Sequence, residues 1–151
     1  MIHIVLVEPE IPGNTGNIGR SCLAAGAHLH LVKPLGFSLD DAKVKRAGLD
    51  YWKHVALSVH ENLQEAAEQI PGFDRALWFS THAQTNFFDV EIPDPAVLVF
   101  GRETKGLGDA LRGEHAQRLV KLPINSEHIR SLNLANSAAI ALYETLRQRR
   151  R

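Results

Sequence analysis

Two short segments, Ile2-His3-Ile4-Val5-Leu6-Val7 and Ala96-Val97-Leu98-Val99-Phe100, are apolar at almost every position instead of every second one. A strand with one wet face alternates. One that stays apolar along its length must be covered on both sides, as in a parallel sheet between layers of helices. The rest of the chain has the matching pattern of strands alternating with helices, so the expected fold is α/β, a mostly parallel sheet with helices on both faces.

Turn chemistry sets the expected boundaries. After the first strand, Pro9, Pro12 and Gly13 make a loop, and Asn14 or Thr15 can cap a helix that Gly26 stops after Ala25. A second strand spans 29–32, and Ser38-Leu39-Asp40-Asp41 opens a helix ending near Gly48, its acidic residues placed where the helix dipole favours them. Further strands are expected at 55–59, 75–80, 96–100 and 119–122, with helices at 62–70, 108–112 and 131–148. The 151 residues are 44% hydrophobic and 23% charged, enough for one core and scarcely for two. With no internal repeat, low-complexity segment or long linker, residues 1–151 are expected to form a single domain.

Bulk properties exclude several classes. Met1 to Val7 is apolar but short and lacks the flanks of a signal peptide, and no apolar run approaches the roughly 20 residues of a membrane span. The one cysteine, Cys22, rules out an internal disulfide and suits a reducing, cytoplasmic compartment; on the first helix it reads as a small core residue. Lys+Arg and Asp+Glu both total 17, so no global positive field attracts nucleic acid. Local clusters exist at Lys43, Lys45, Arg46 and Lys53 and at Arg147, Arg149, Arg150 and Arg151, and such runs are commonly solvated faces.

Three constellations carry the chemistry. Glycines 13, 16 and 19 follow the first strand, but their spacing departs from the dinucleotide fingerprint and the second strand ends in Val32-Lys33-Pro34 without its acidic residue. A nicotinamide enzyme is disfavoured. Helix-start chemistry accounts for Asn14, Thr15 and Gly16, though not for Arg20. Gly101-Arg102-Glu103-Thr104-Lys105-Gly106-Leu107-Gly108 follows a strand but puts Leu107-Gly108 where a P-loop needs Lys and Ser/Thr, which excludes an ATPase; a ligand loop or a plain tight turn remains. In the third, Ser131, Asn133 and Asn136 line a helix start, where buried polar groups must be paired. Capping suits Ser131; Asn133 and Asn136 are harder to explain as caps and can face a ligand. His28 and His30 alternate on one strand and share a face, but nothing nearby completes a zinc site, so no metal is expected. No G-x-S-x-G elbow is present.

The last helix is apolar on nearly every side from Leu134 to Tyr143. Such a helix must be buried all round, either within the subunit or with a second subunit as its outer wall. A homodimer is the expected reading.

Taken in order, Asn14-Thr15-Gly16-Asn17-Ile18-Gly19-Arg20, Phe100-Gly101-Arg102-Glu103-Thr104-Lys105-Gly106-Leu107 and Ser131-Leu132-Asn133-Leu134-Ala135-Asn136-Ser137 resemble the three motifs of the SPOUT methyltransferases. Glu8-Pro9-Glu10-Ile11-Pro12 and Arg46-Ala47-Gly48-Leu49-Asp50-Tyr51 narrow the likeness to the minimal tRNA (cytidine/uridine-34) 2′-O-methyltransferases, over nearly the whole chain. Arg102 departs from the small residue or proline common there, which bears on the shape of the loop.

The resemblance implies a deep C-terminal trefoil knot, which general topological rules would reject, and an obligate homodimer. It also implies S-adenosyl-L-methionine as cofactor, contacted by Phe79, Gly101, Leu122 and Ser131, and the anticodon stem-loop of tRNA as partner, with leucine tRNAs the expected substrates. Arg20 is the implied catalytic residue at the acceptor, with Asn133 and Tyr143 shaping the site; interface packing accounts for Tyr143 equally well. A free guanidinium stays protonated to a pH of about 12. The role expected of Arg20 is therefore to stabilise the developing alkoxide and orient the adjacent phosphate, while the proton leaves to that phosphate or to water. The competing readings are a SPOUT methyltransferase acting on ribosomal RNA or another tRNA position, and a non-catalytic RNA-binding factor.

Overall fold

The computed structural model describes residues 1–44 and 49–150. Six strands form one sheet in the order β3-β2-β1-β5-β4-β6, every pair parallel: β1 (Ile2–Val7), β2 (His28–Val32), β3 (Leu57–His60), β4 (Leu77–Phe79), β5 (Ala96–Phe100) and β6 (Leu119–Val120). The four α-helices named here are α1 (Pro12–Ala25), α2 (Leu63–Gln69), α3 (Asp109–Glu114) and α4 (Leu134–Arg149). The two segments apolar at almost every position, β1 and β5, pair with each other at the centre of the sheet, where both faces are covered.

Alternate residues build two cores. Ile2, Ile4, Leu6, Leu98 and Phe100 face α1 and α4, which pack against each other on that side. Val5, Val7, Val97, Val99 and Trp78 face the other side, with Ala66 and Ile70 of the α2 segment and Leu107. The sheet is thus covered twice, as its hydrophobic pattern requires.

Several expectations need correction. The first helix starts at Pro12, with Ile11 as its unassisted N-cap, so neither Asn14 nor Thr15 caps it. Proline in the first turn has φ preset and loses no hydrogen bond there. A remote carboxylate fixes the entry to the helix: Glu103 accepts from Ile11 N at 3.0 Å and Glu10 N at 2.7 Å. The last helix starts at Leu134, and Asn133, not Ser131, is its cap, with the side-chain oxygen accepting from Asn136 N at 3.2 Å. Within the single chain one side of that helix is left open. Ala135, Ala138, Ala141, Leu142 and Thr145 are buried, whereas Ile140 and Tyr143 stay 38% and 53% exposed.

Of the helix expected from Ser38 to Gly48, residues 42–44 are helical and 45–48 lie outside the described residues, as does the first half of the Arg46–Tyr51 segment. Parallel register brings a third histidine to the pair on β2. His3 stands opposite His28, and His3, His28 and His30 bring ligand atoms within 4.8 Å of one another. Cys22 is fully buried, and burial pushes its thiol up to about 12, which makes it an inert core residue. Among the described residues, no helix is long and apolar enough to cross a membrane.

Candidate active site

In a parallel sheet all strands end on the same side, and the loops leaving those ends make the usual ligand crevice. Here two such loops lock together. After β5 the chain folds back so tightly that a Cβ on Gly101 would lie 2.1 Å from the Gly106 carbonyl carbon, so only glycine fits. Arg102 N donates to Gly106 O at 3.0 Å and Gly106 N to Arg102 O at 2.9 Å, closing the loop.

Three carboxylates, two on the loop after β1 and one on the 101–107 loop, tie the two loops together. Glu8 pairs with the Arg102 guanidinium, whose Nε lies 2.8 Å from the carboxylate. Glu10 accepts from Thr104 N at 3.1 Å and Thr104 Oγ1 at 2.7 Å, and these bonds hold its carboxyl below the ordinary range. Glu103 reaches back to the start of α1. Glu8 itself has φ +53, a left-handed conformation rare outside glycine; its N–H donates to Val32 O at 2.9 Å.

A cavity of about 570 Å3 opens beside this lock, a size typical of sites for cofactor-sized molecules. Its walls come from four segments far apart in sequence: 79–82 after β4, 100–107 after β5, 121–124 after β6, and 130–134 before α4. Phe79, Gly101, Leu122, Ser131 and Asn133 all line it, so five of the seven residues singled out from sequence converge. Phe79 stacks on Phe100, with ring centroids 4.4 Å apart, which makes one wall flat and aromatic. Asn133 donates from Nδ2 to Asn14 Oδ1 at 3.2 Å, tying the start of α4 to α1 at the cavity edge.

The other two residues stand elsewhere. Arg20 is exposed on α1, its guanidinium 5.2 Å from the centre of the Tyr51 ring, and is not part of the cavity wall. Tyr143 lies on the open face of α4, also off the wall.

Sequence reasoning missed the carboxylate lock and the charge of the rim. Lys105, Lys121 and Arg130 line the cavity, and the last two continue into a shallower hollow of about 390 Å3 beside Asn125 and Ser126. None belongs to a charge run, so clustering in sequence could not reveal them. The tail that did stand out is partly neutralised: Arg147 pairs with Glu144 and Arg149 with Asp94. For the lock, the available signal was Glu8-Pro9-Glu10 at the mouth of a strand, facing a loop that itself carries Arg, Glu and Thr.

What this cavity can do is accept a flat, largely uncharged group against aromatic and main-chain surface, with anionic material beyond its rim. Known proteins agree. The model of the SpoU rRNA Methylase family matches residues 1–143. The tRNA (cytidine(34)-2′-O)-methyltransferase of Methylovorus glucosotrophus is 47% identical over 152 aligned residues, covering 98% of this chain and 96% of the relative; that of Burkholderia pseudomallei is 45% identical, covering 98% and 96%. A solved structure described as giving insight into 2-OH methylation of C/U34 on tRNA superposes with a TM-score of 0.92 at 39% identity, covering 99% of this chain and 97% of that one. The SpoU methyltransferase AviRb of Streptomyces viridochromogenes, solved in complex with AdoMet, superposes at 0.84 with 27% identity over 97% of this chain and 57% of its own. With its glycine loop, its carboxylate lock and its four-segment cavity, this chain belongs to the SpoU rRNA Methylase family.

Proposed function

We propose that this chain transfers a methyl group from S-adenosylmethionine to the ribose 2′-hydroxyl of nucleotide 34 in tRNA, cytidine or modified uridine, with leucine tRNAs among its substrates. The observation that carries this is the convergence of residues 79–82, 100–107, 121–124 and 130–134 on one cavity of the right size. The residues present fit the cofactor. The Phe79–Phe100 stack offers a face for adenine, and the closed 101–107 loop offers main-chain donors and acceptors that only a glycine backbone lets approach so closely.

When bound, S-adenosylmethionine supplies an electrophilic methyl on a cationic sulfur, so the leaving group needs no acid. The chain has two tasks: to hold the acceptor oxygen in line and to manage its proton. Orientation of this kind can be worth about 7–11 kcal/mol. Lys105, Lys121 and Arg130 supply positive charge for the phosphates flanking the target nucleotide. Arg20 orients one phosphate and stabilises the developing alkoxide. The O–CH3 bond forms as the S–CH3 bond breaks, and the proton passes to phosphate or water.

The position of Arg20 bears on assembly. The apolar sides of α1 and α4 cover the same face of the sheet, so their outer sides share one solvent surface. That surface carries Arg20 on α1 and Ile140 and Tyr143 on α4. On this reading it is a homodimer interface, and each Arg20 serves the partner's cavity. Residues 1–151 act as one domain. Its C-terminal segment is threaded as a trefoil knot, a reading supported by the way the chain leaves β6 at the sheet edge, lines the cavity at 130–134 and returns to pack α4 on α1. A cytoplasmic location goes with a tRNA substrate.

The test is methyl transfer with purified protein, labelled S-adenosylmethionine and unmodified total tRNA, with ribosomal RNA as a parallel substrate, and the modified nucleotide mapped by mass spectrometry. Label on a 2′-oxygen at position 34 is expected. Label in ribosomal RNA or at another tRNA position would favour the family's other substrates, and cofactor binding without transfer would favour an RNA-binding factor.

A further inference from the structure

The remaining feature lies on the sheet face opposite α1 and α4, away from the methyl-transfer cavity. Most of that face is lined by Val5, Val7, Val32, Val97, Val99 and Trp78. Across β1, β2 and β3, however, four imidazoles take the place of aliphatic side chains: His3, His28, His30 and His60. His3, His30 and His60 are 6%, 5% and 2% exposed. Burying polar rings in place of valines is costly unless they are fully partnered, and these are not: His60 Nδ1 is buried without a hydrogen-bond partner.

The geometry is that of a ligand set. His3 Nδ1 and His30 Nε2 lie 2.9 Å apart, and His28 brings the third nitrogen, all within 4.8 Å of one another. Bond lengths of about 2.0–2.1 Å from an imidazole nitrogen to zinc set neighbouring ligand nitrogens roughly 2.9–3.4 Å apart, so one pair already has the spacing and a small rotation of the His28 ring brings in the third. The outer partners are in place as well. His30 Nδ1 is 3.0 Å from His60 Nε2, and His28 Nε2 is 2.8 Å from Ser58 Oγ. Metal-bound histidines characteristically have the second ring nitrogen or ring orientation held in this way.

We propose that His3, His28 and His30 bind a first-row divalent metal ion of the zinc class, with His60 and Ser58 as outer-shell partners. Three neutral nitrogen donors suit zinc, copper or nickel and not magnesium or calcium, which take oxygen. His28 is half-buried, giving the ion a way in and leaving a coordination position open to water. The site lies on strands β1 and β2, and none of its ligands lines the methyl-transfer cavity. Its role is to tie two strands together, so it stands or falls independently of the methyl-transfer reading.

The experiment uses the full chain without an affinity tag, stripped with chelator, and titrated with zinc by calorimetry and with cobalt(II) by visible absorption. One zinc per chain, a cobalt spectrum with nitrogen-ligand d–d bands, and a rise in melting temperature with added zinc are expected. His28→Ala, at the half-buried edge of the cluster, should weaken zinc at least 100-fold while leaving the circular dichroism spectrum and S-adenosylmethionine binding unchanged. Ser58→Ala should weaken it by about 10-fold. Absence of zinc binding at a hundredfold molar excess overturns the proposal. So does zinc binding that is undiminished in His28→Ala or in a His3→Leu/His30→Leu double variant.

Discussion

The cavity proposed for methyl transfer and the histidine cluster rest on the same sheet and are built in opposite ways. The cavity is made by loops: its shape depends on the main chain, on Gly101 admitting the Gly106 carbonyl, and on carboxylates reaching 90 residues along the chain to hold two loops together. The histidine cluster is made by strands: its side chains are placed by register alone, His3 against His28 and Val5 against His30. A loop site tolerates little change in backbone and much in its solvent-facing side chains. A strand site is the reverse. The variants that break each region should differ accordingly.

The largest effect belongs to the backbone. Gly101→Val puts a Cβ 2.1 Å from the Gly106 carbonyl carbon, a distance no side-chain adjustment relieves. The 101–107 loop must open, and calorimetry should find S-adenosylmethionine binding abolished while far-UV circular dichroism stays native. Retained affinity would mean that the loop does not form the cofactor wall.

Next comes Arg20. Arg20→Lys keeps the charge and loses the planar fork, and turnover should fall by about 10²–10³-fold, the usual cost of one transition-state donor, with cofactor affinity unchanged. Mixing Arg20→Ala with Gly101→Val subunits tests where the arginine acts. If each Arg20 serves the partner's cavity, mixed dimers regain up to one working site and activity returns; if it serves its own cavity, the mixture stays inactive.

These two predictions also mark what was legible in the sequence. All six strands among the described residues were foreseen, β1 and β5 most directly, because continuous apolarity is a local property of a strand buried on both faces. Five cavity residues were named through the family resemblance, which rests on loop motifs that are contiguous and distinctive in their order along the chain. The Glu8–Arg102, Glu10–Thr104 and Glu103–Ile11 contacts span about 90 residues and depend on β1 lying beside β5, which no local pattern encodes. His3 was missed for the same reason: His28 and His30 on one strand were visible together, and His3 comes from the neighbouring strand of the sheet. The cap was misassigned to Ser131 because asparagine and serine cap equally well, and only the path of 130–133 along the cavity decides between them.

On the strand side the expected effect is graded. His3 and His30 titrate at about 4 and about 3 in the fold, lowered first by burial and then by neighbouring charge: His28 and the N-terminal ammonium act on His3, and His28, His3 and His60 act on His30. In the unfolded chain they titrate near 6.5, so between those values the unfolded state binds more protons and stability falls as pH drops from about 6.5 towards 4. With chelator present, urea midpoints should decline over that range, and the His3→Leu/His30→Leu double variant should flatten the slope. An unchanged slope would mean that the imidazoles are not buried neutral.

The smallest effect is the most discriminating, because Asn133 belongs to both kinds of construction. Its Oδ1 caps α4 and its Nδ2 donates to Asn14 at the cavity edge. Asn133→Ala loses both, and should cost about 1 kcal/mol of stability, the usual value of a lost cap. Asn133→Ser keeps a capping oxygen but is too short to reach Asn14. If the link to α1 shapes the cavity, the serine variant recovers most of the stability while its KM for S-adenosylmethionine stays raised as far as that of the alanine variant. If capping is all that Asn133 does, the serine variant matches the wild type in both measurements.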